Sequence, residues 1–107
     1  MAYDEGLAQR IRESLDVAST EKKMFGGLAF MVDGNMCVGV VGEELLARIG
    51  PDAADSAVGR AGARPFEMGG RQASKGWVLV DQSALKGAKL QRWVDECLAF
   101  VRTLPPK

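Results

Sequence analysis

The residues of this chain that could do chemistry are few, and the one that is missing excludes the most. There is no histidine, which removes Ser-His-Asp and Cys-His nucleophilic sites, imidazole-ligated zinc, iron or copper, and any pH switch built on imidazole. The two cysteines, Cys37 and Cys97, have a spacing that fits no zinc or redox motif. They would make a redox pair only if the fold brought them together. Each lies in an apolar segment, where a thiol reads as a small buried hydrophobe. Ser-x-x-Lys occurs twice, at Ser19/Lys22 and Ser83/Lys86, the nucleophile spacing of penicillin-binding enzymes. The companion Lys-Thr-Gly and Ser-Asp-Asn motifs are missing, and Ser83 reads better as a helix cap. The carboxylate neighbours Asp4/Glu5, Glu43/Glu44 and Asp95/Glu96 point in different directions on a helix or strand, in segments that do not promise the burial acid–base work requires. Neither a Walker A loop nor Gly-x-Gly-x-x-Gly occurs. No catalytic residue, metal site or cofactor is expected.

One cluster does read as a binding feature. Arg60, Arg64, Arg71 and Lys75, opposed only by Glu67, sit among Gly59, Gly62, Gly69, Gly70 and Gly76, with Phe66 and Trp77 adding aromatic area. An anionic partner or single-stranded nucleic acid could settle there. The plainer reading is a solvated loop with Trp77 in the core. The cluster belongs to an uneven charge distribution: 14 basic and 14 acidic residues cancel, yet residues 1–32, 33–58 and 59–107 carry −1, −4 and +5. Zero net charge argues against non-specific polyanion binding as the main activity. The basic C-terminal half reads as interleaved with acids on folding.

The elements that must position these residues follow from periodicity. Leu7, Ile11 and Leu15 recur four apart with Ala8 beside them, giving a helix from Asp4, its N-cap. Ser19 to Lys22 reads as a connection. From Lys23 the pattern turns extended through Val32, and Asp33-Gly34 is a strong hairpin turn because both residues tolerate positive φ. Leu28, Phe30 and Val32 should face one side, with Met36, Val38 and Val40 returning. Gly26-Gly27 inside a strand reads as a bulge, or as space left for a ligand or a partner's backbone. Leu45, Ala47 and Ile49 form a third strand after Gly42-Glu43, and Pro51 starts a helix that Gly59 stops. A short edge strand is expected near Arg64–Glu67, a loop over 69–74, and a strand over Trp77–Val80. The last helix carries Leu90, Val94, Cys97, Val101 and Leu104 at steps of four and three, and ends at Pro105-Pro106.

The order α-β-β-β-α-β-β-α, with its first strands joined by tight turns, predicts a two-layer α+β domain, helices packed on a mainly antiparallel five-stranded sheet. One domain should span 1–107, since 107 residues hold one modest core. Two cysteines, no apolar leader and no run of about 20 apolar residues predict a cytoplasmic protein without membrane contact.

The run Lys23-Met24-Phe25-Gly26-Gly27-Leu28-Ala29-Phe30-Met31-Val32, closed by Asp33-Gly34-Asn35-Met36-Cys37-Val38-Gly39-Val40, resembles the signature hairpin of the TfoX/Sxy N-terminal domain family. Arg48-Ile49-Gly50-Pro51, Ala63-Arg64-Pro65-Phe66, Lys75-Gly76-Trp77-Val78 and Leu104-Pro105-Pro106-Lys107 are similar to its later segments, so the resemblance spans nearly the whole chain. Its hairpin signature falls on Lys23, Met24, Phe25, Gly26, Gly27, Phe30, Gly34, Asn35 and Gly39. The resemblance implies a secretion-chaperone-like arrangement and an association with transcription and competence regulation. Members with a second, helical domain are implied to act through transcription machinery such as the cyclic-AMP receptor protein; a stand-alone domain lacking that second one is expected here.

The reading is therefore a non-catalytic regulatory module that binds a protein partner, with a homodimer left open. Arg60, Arg64, Phe66, Arg71 and Lys75 are the candidate contact residues. The alternative is a small ligand-binding or enzymatic domain using the Gly26-Gly27 gap with Lys23 and Arg48. It includes the RNA-methyltransferase label some relatives carry, although no methyl-donor site can be located.

Overall fold

Asp4 opens the first helix as its spacing predicts: Oδ1 accepts from the Leu7 N–H at 3.1 Å, and α1 (Glu5–Ser14) buries Leu7, Ala8 and Ile11. The computed structural model describes residues 3–15, 17–24, 26–57, 59–60, 62–65, 67–68, 71–72 and 76–106, with the backbone alone at Met24, Asp55, Pro65, Glu67, Met68, Arg71 and Gln72. After α1 come β1 (Thr20–Met24), β2 (Gly27–Val32), β3 (Asn35–Val41) and β4 (Glu44–Arg48), then α2 (Pro51–Ala57), β5 (Ala63–Pro65), β6 (Glu67–Met68), β7 (Arg71–Gln72), β8 (Trp77–Val80) and α3 (Ala88–Val101).

The main sheet has six antiparallel strands in the order β1-β2-β3-β4-β8-β5, and β6 and β7 form a separate two-stranded ribbon. The expected five strands are thus corrected at two places. Thr20–Met24 is an edge strand that takes in most of the Ser19–Lys22 segment expected as a connection: with Glu21, Lys22 and Lys23 all exposed, it lacks the apolar alternation that reveals a half-buried strand. The segment expected as a loop over 69–74 includes β7, too short for periodicity to register.

The predicted Asp33-Gly34 turn is present, with φ of 54° and 81°, and Val32 pairs with Asn35 across it. The predicted side-chain alternation holds for Leu28, Phe30, Val32, Val38 and Val40 and fails at Met36 alone. Phe30 pairs with Val38 but Met31 pairs with Met36, so Cys37 is an extra residue on β3. This bulge puts Cys37 and Val38 together in the main core and turns Met36 to the other face.

The main core lies between the sheet and the helices. Leu28, Phe30, Val38, Val40, Leu45, Val78 and Val80 meet Leu7 and Ile11 of α1 and Leu90, Trp93, Val94, Cys97 and Val101 of α3. Each fully buried aliphatic or aromatic side chain there contributes roughly 1.5–3 kcal/mol. A smaller cluster of Ala29, Met36, Leu46 and Leu79, with Met31, Val41 and Trp77 beside it, occupies the opposite face. Ser83 does not cap α3. It sits in a 3-10 turn with its hydroxyl donating to Asp81 at 3.0 Å, and α3 starts later, after Gly87.

Candidate functional site

The basic cluster is divided by the fold. Arg64 lies on β5 opposite Leu79 of β8, which places it on the sheet face away from α1 and α3. Its guanidinium grips both carboxylate oxygens of Glu44. Arg60, beyond the end of α2, lies on the helix side. Its Nη1 donates to both oxygens of Glu96 on α3, at 2.9 and 2.8 Å, and its guanidinium carbon stands 3.8 Å from the centre of the Trp93 ring. The two arginines therefore belong to two surfaces, each matched to an acid, as the interleaved reading of the charges anticipated. Arg71 is placed by its backbone in β7, and Phe66 and Lys75 lie outside the described residues. Trp77 is half-buried beside the smaller cluster, with the Arg48 guanidinium 5.2 Å from its ring centre.

Arg64 lies at an edge of the sheet. β5 is the last strand in the sheet order and pairs with β8 alone among the described residues. Arg64 stays 54% exposed despite its ion pair, so the pairing orients a charge that solvent or a partner can still reach. At the opposite edge, β1 presents Glu21, Lys22 and Lys23, the charged pattern that discourages strand addition. There Arg12 of α1 bonds Glu21 through two nitrogens at 2.5 and 2.7 Å, which holds the Glu21 carboxyl below its ordinary pKa.

The hairpin signature is architectural. Gly26 is a turn residue at φ +72°, correcting the expectation of a bulge within one long strand. At Gly27 a Cβ would collide with the carbonyl oxygen of Val40, and at Gly39 one would lie 2.8 Å from the carbonyl oxygen of Leu28. Glycine at positions 27 and 39 lets β2 and β3 close on each other, since a side chain at either would have no room. Arg48 donates to the Met36 carbonyl at 3.2 Å, at the other end of β3 from Gly27, so the Gly26-Gly27-Arg48 constellation does not assemble. Phe30 is fully buried. Asn35, 4% exposed, donates to the Pro105 carbonyl at 2.9 Å and ties the hairpin to the C-terminal segment. Lys23 is exposed on β1 and Met24 ends that strand; Phe25 lies outside the described residues.

The remaining chemical candidates are occupied or buried. Cys37 and Cys97 are free thiols. Burial pushes Cys37 up to about 12 and Cys97 well above the ordinary thiol value, so neither supplies thiolate near neutrality. Asp4 accepts from Leu7 and, through Oδ2, from Gln82 at 3.0 Å; the Gln82 bond, then the Leu7 bond, hold its pKa down. Among the described residues no group of three cysteines and carboxylates is placed to hold a metal.

Sequence reasoning missed Trp93, Glu96 and Glu44 as partners of the arginines, and Lys89 and Arg92 beside Trp93 on α3. The first three are distant in sequence from the residues they hold. The last two stand on the solvent side of an amphipathic helix, where charge is routine. The available signal was the run Lys86, Lys89, Arg92, which contains no acid.

The fold is a two-layer α+β domain with a six-stranded antiparallel sheet, an acid-held arginine on each face of it, and buried thiols. The model of the TfoX N-terminal domain matches residues 5–101, and the chain belongs to the TfoX N-terminal domain family. No curated protein and no solved structure matches it. No helix among the described residues is long and apolar enough to cross a membrane.

Proposed function

We propose that this protein is a non-catalytic regulatory module of the TfoX N-terminal type that binds a protein partner in the cytoplasm, a component of the transcription machinery. The contact surface is the outer edge of β5 with Arg64 at its centre, extended by the 66–75 segment that carries Phe66, Arg71 and Lys75. The observation that carries this reading is the held guanidinium of Arg64. It sits on a terminal strand with its donors oriented by Glu44 and more than half of its side chain in solvent. A pre-oriented arginine loses little freedom on binding, which is what makes arginine a frequent anchor at interfaces. Pro65 brings no backbone N–H to this edge, so recognition runs through side chains more than through an added strand. The secretion-chaperone-like arrangement that the family resemblance implies fits a domain whose sheet is offered to a partner.

The test is affinity capture of the full chain from its native cytoplasm, followed by reconstitution of the pair from purified proteins. Arg64→Glu should weaken the reconstituted complex at least about tenfold, the scale of a moderate interface residue, with the fold retained. Full retention of every partner by both Arg64→Glu and Arg71→Glu contradicts the surface.

A further inference from the structure

The other arginine leads to a different surface. Arg60, Ala84, Lys89, Arg92 and Trp93 line a surface cleft of about 180 Å³. We propose that this cleft is a binding site for a phosphomonoester, a compact dianion held by Arg60, Lys89 and Arg92.

Three observations point to a small, highly charged ligand. Glu96 engages only Nη1 of Arg60, so the Nε and Nη2 donors, the side of the guanidinium suited to bidentate oxyanion recognition, remain unspent among the described residues. Lys89 and Arg92 are exposed at the cleft, and neither side chain has an ion-pair or hydrogen-bond partner among the described residues. With Glu96 the only acid bonded to any of the three, the local charge is +2, matching a dianion. Meanwhile the first turn of α3 contains no acidic residue. Lys89 therefore opposes the helix dipole with no acid in that turn to offset it, an arrangement that costs stability unless an anion arrives.

Size and aromatic geometry narrow the ligand further. Pockets for drug-sized ligands run to roughly 300–1,000 Å³, so this cleft takes a phosphate group and a few attached atoms rather than a nucleotide. Trp93 is only 3% exposed and its face is covered by the Arg60 guanidinium. No open ring is left on which a nucleobase could stack, which disfavours single-stranded nucleic acid. A phosphomonoester reaches the cleft either as a free metabolite or as a phosphorylated side chain, and the chemistry of recognition is shared.

The experiment is an NMR titration of the intact protein with inorganic phosphate, glycerol phosphate and a short phosphoserine peptide at constant ionic strength. The comparison protein is Lys89→Ala/Arg92→Ala, which leaves the Arg60–Glu96 pair intact. Saturable shifts at Arg60, Ala84, Lys89, Arg92 and Trp93 with all three probes, weakened at least tenfold in the double variant, support the site. Peptide binding tenfold tighter than glycerol phosphate, also lost in the variant, supports it and assigns the anion to a phosphorylated protein. Equal affinities assign it to a small metabolite. Thermal denaturation reads the same site independently: a tenfold excess of glycerol phosphate over its dissociation constant should raise the wild-type Tm by about 5 °C or more, and the unliganded variant should melt no lower than wild type. Non-saturating shifts that chloride reproduces, or equal binding by wild type and double variant, overturn the proposal.

Discussion

Arg64 on β5 and Glu44 on β4 are joined across the intervening strand β8. The bond spans three strands and fixes the direction of the charge at the sheet edge. Because Arg64 is 54% exposed and Glu44 24%, solvent screens the pair and its worth to folding is small. Arg64→Gln and Glu44→Gln should each lower stability by no more than about 1 kcal/mol in urea denaturation, and a double-mutant cycle should return a coupling of the same small size. A coupling of several kcal/mol would make the pair a structural clamp and remove the reason for reading it as a presented charge.

The adjacent glycines of the hairpin signature do different work, and substitution should separate them. Gly26 needs positive φ but has open space where a Cβ would go. Gly26→Ala should cost about 1 kcal/mol, and Gly26→Asn less, because asparagine tolerates the left-handed region. Gly27→Ala drives a methyl into the Val40 carbonyl, a backbone atom that cannot step aside, and should cost about 2–3 kcal/mol or prevent folding. Asparagine cannot rescue that position. Equal losses at the two sites in thermal denaturation would contradict this division.

Asp4 gives the fold an acid-sensitive point. Its folded pKa is lowered by the bond from Gln82 and then by that from Leu7, so the stabilisation is present above its unfolded value of about 3.9 and is lost as pH falls through the folded value. Asp4→Asn keeps a competent helix cap and should flatten the decline in stability below about pH 4. An unchanged pH profile in the variant would show that Asp4 contributes nothing to it.

The thiols act in the alkaline direction. Cys37 is raised to about 12 and Cys97 is raised as well, both by burial. Unfolded cysteine ionises near pH 8.5, so the unfolded state sheds protons that the folded state keeps, and stability should fall as pH rises above about 8.5. Cys37→Ala/Cys97→Ala should lessen that slope while lowering stability overall through lost packing. In native protein at neutral pH both thiols should react with a disulfide reagent only at the rate of unfolding, and promptly in denaturant. Rapid native modification of either would show an accessible thiolate that the packing does not provide.

The two-layer architecture was legible because its largest elements are amphipathic: the helices around Leu7–Ile11 and Leu90–Val101, and the hairpin closed by Asp33-Gly34. Thr20–Met24 escaped because an exposed edge strand carries no buried stripe. The bulge at Cys37 escaped because one inserted residue changes which face Met36 occupies without changing composition. At the site, charge patterning correctly suggested interleaving, but the partners of Arg60 and Arg64 lie 36 and 20 residues away, and only the fold could choose Glu96 and Glu44. Linear proximity also joined two arginines that the sheet assigns to opposite faces.

The central claim is that the β5 edge, and not the β1 edge, meets the partner. Amide hydrogen exchange of the wild-type protein, free and in the reconstituted complex, measures this most directly. Exchange should be slower in the complex across β5 and the segment following it, with no change over Thr20–Met24. Protection confined to Thr20–Met24 or to α3, with β5 exchanging as in the free protein, would contradict it.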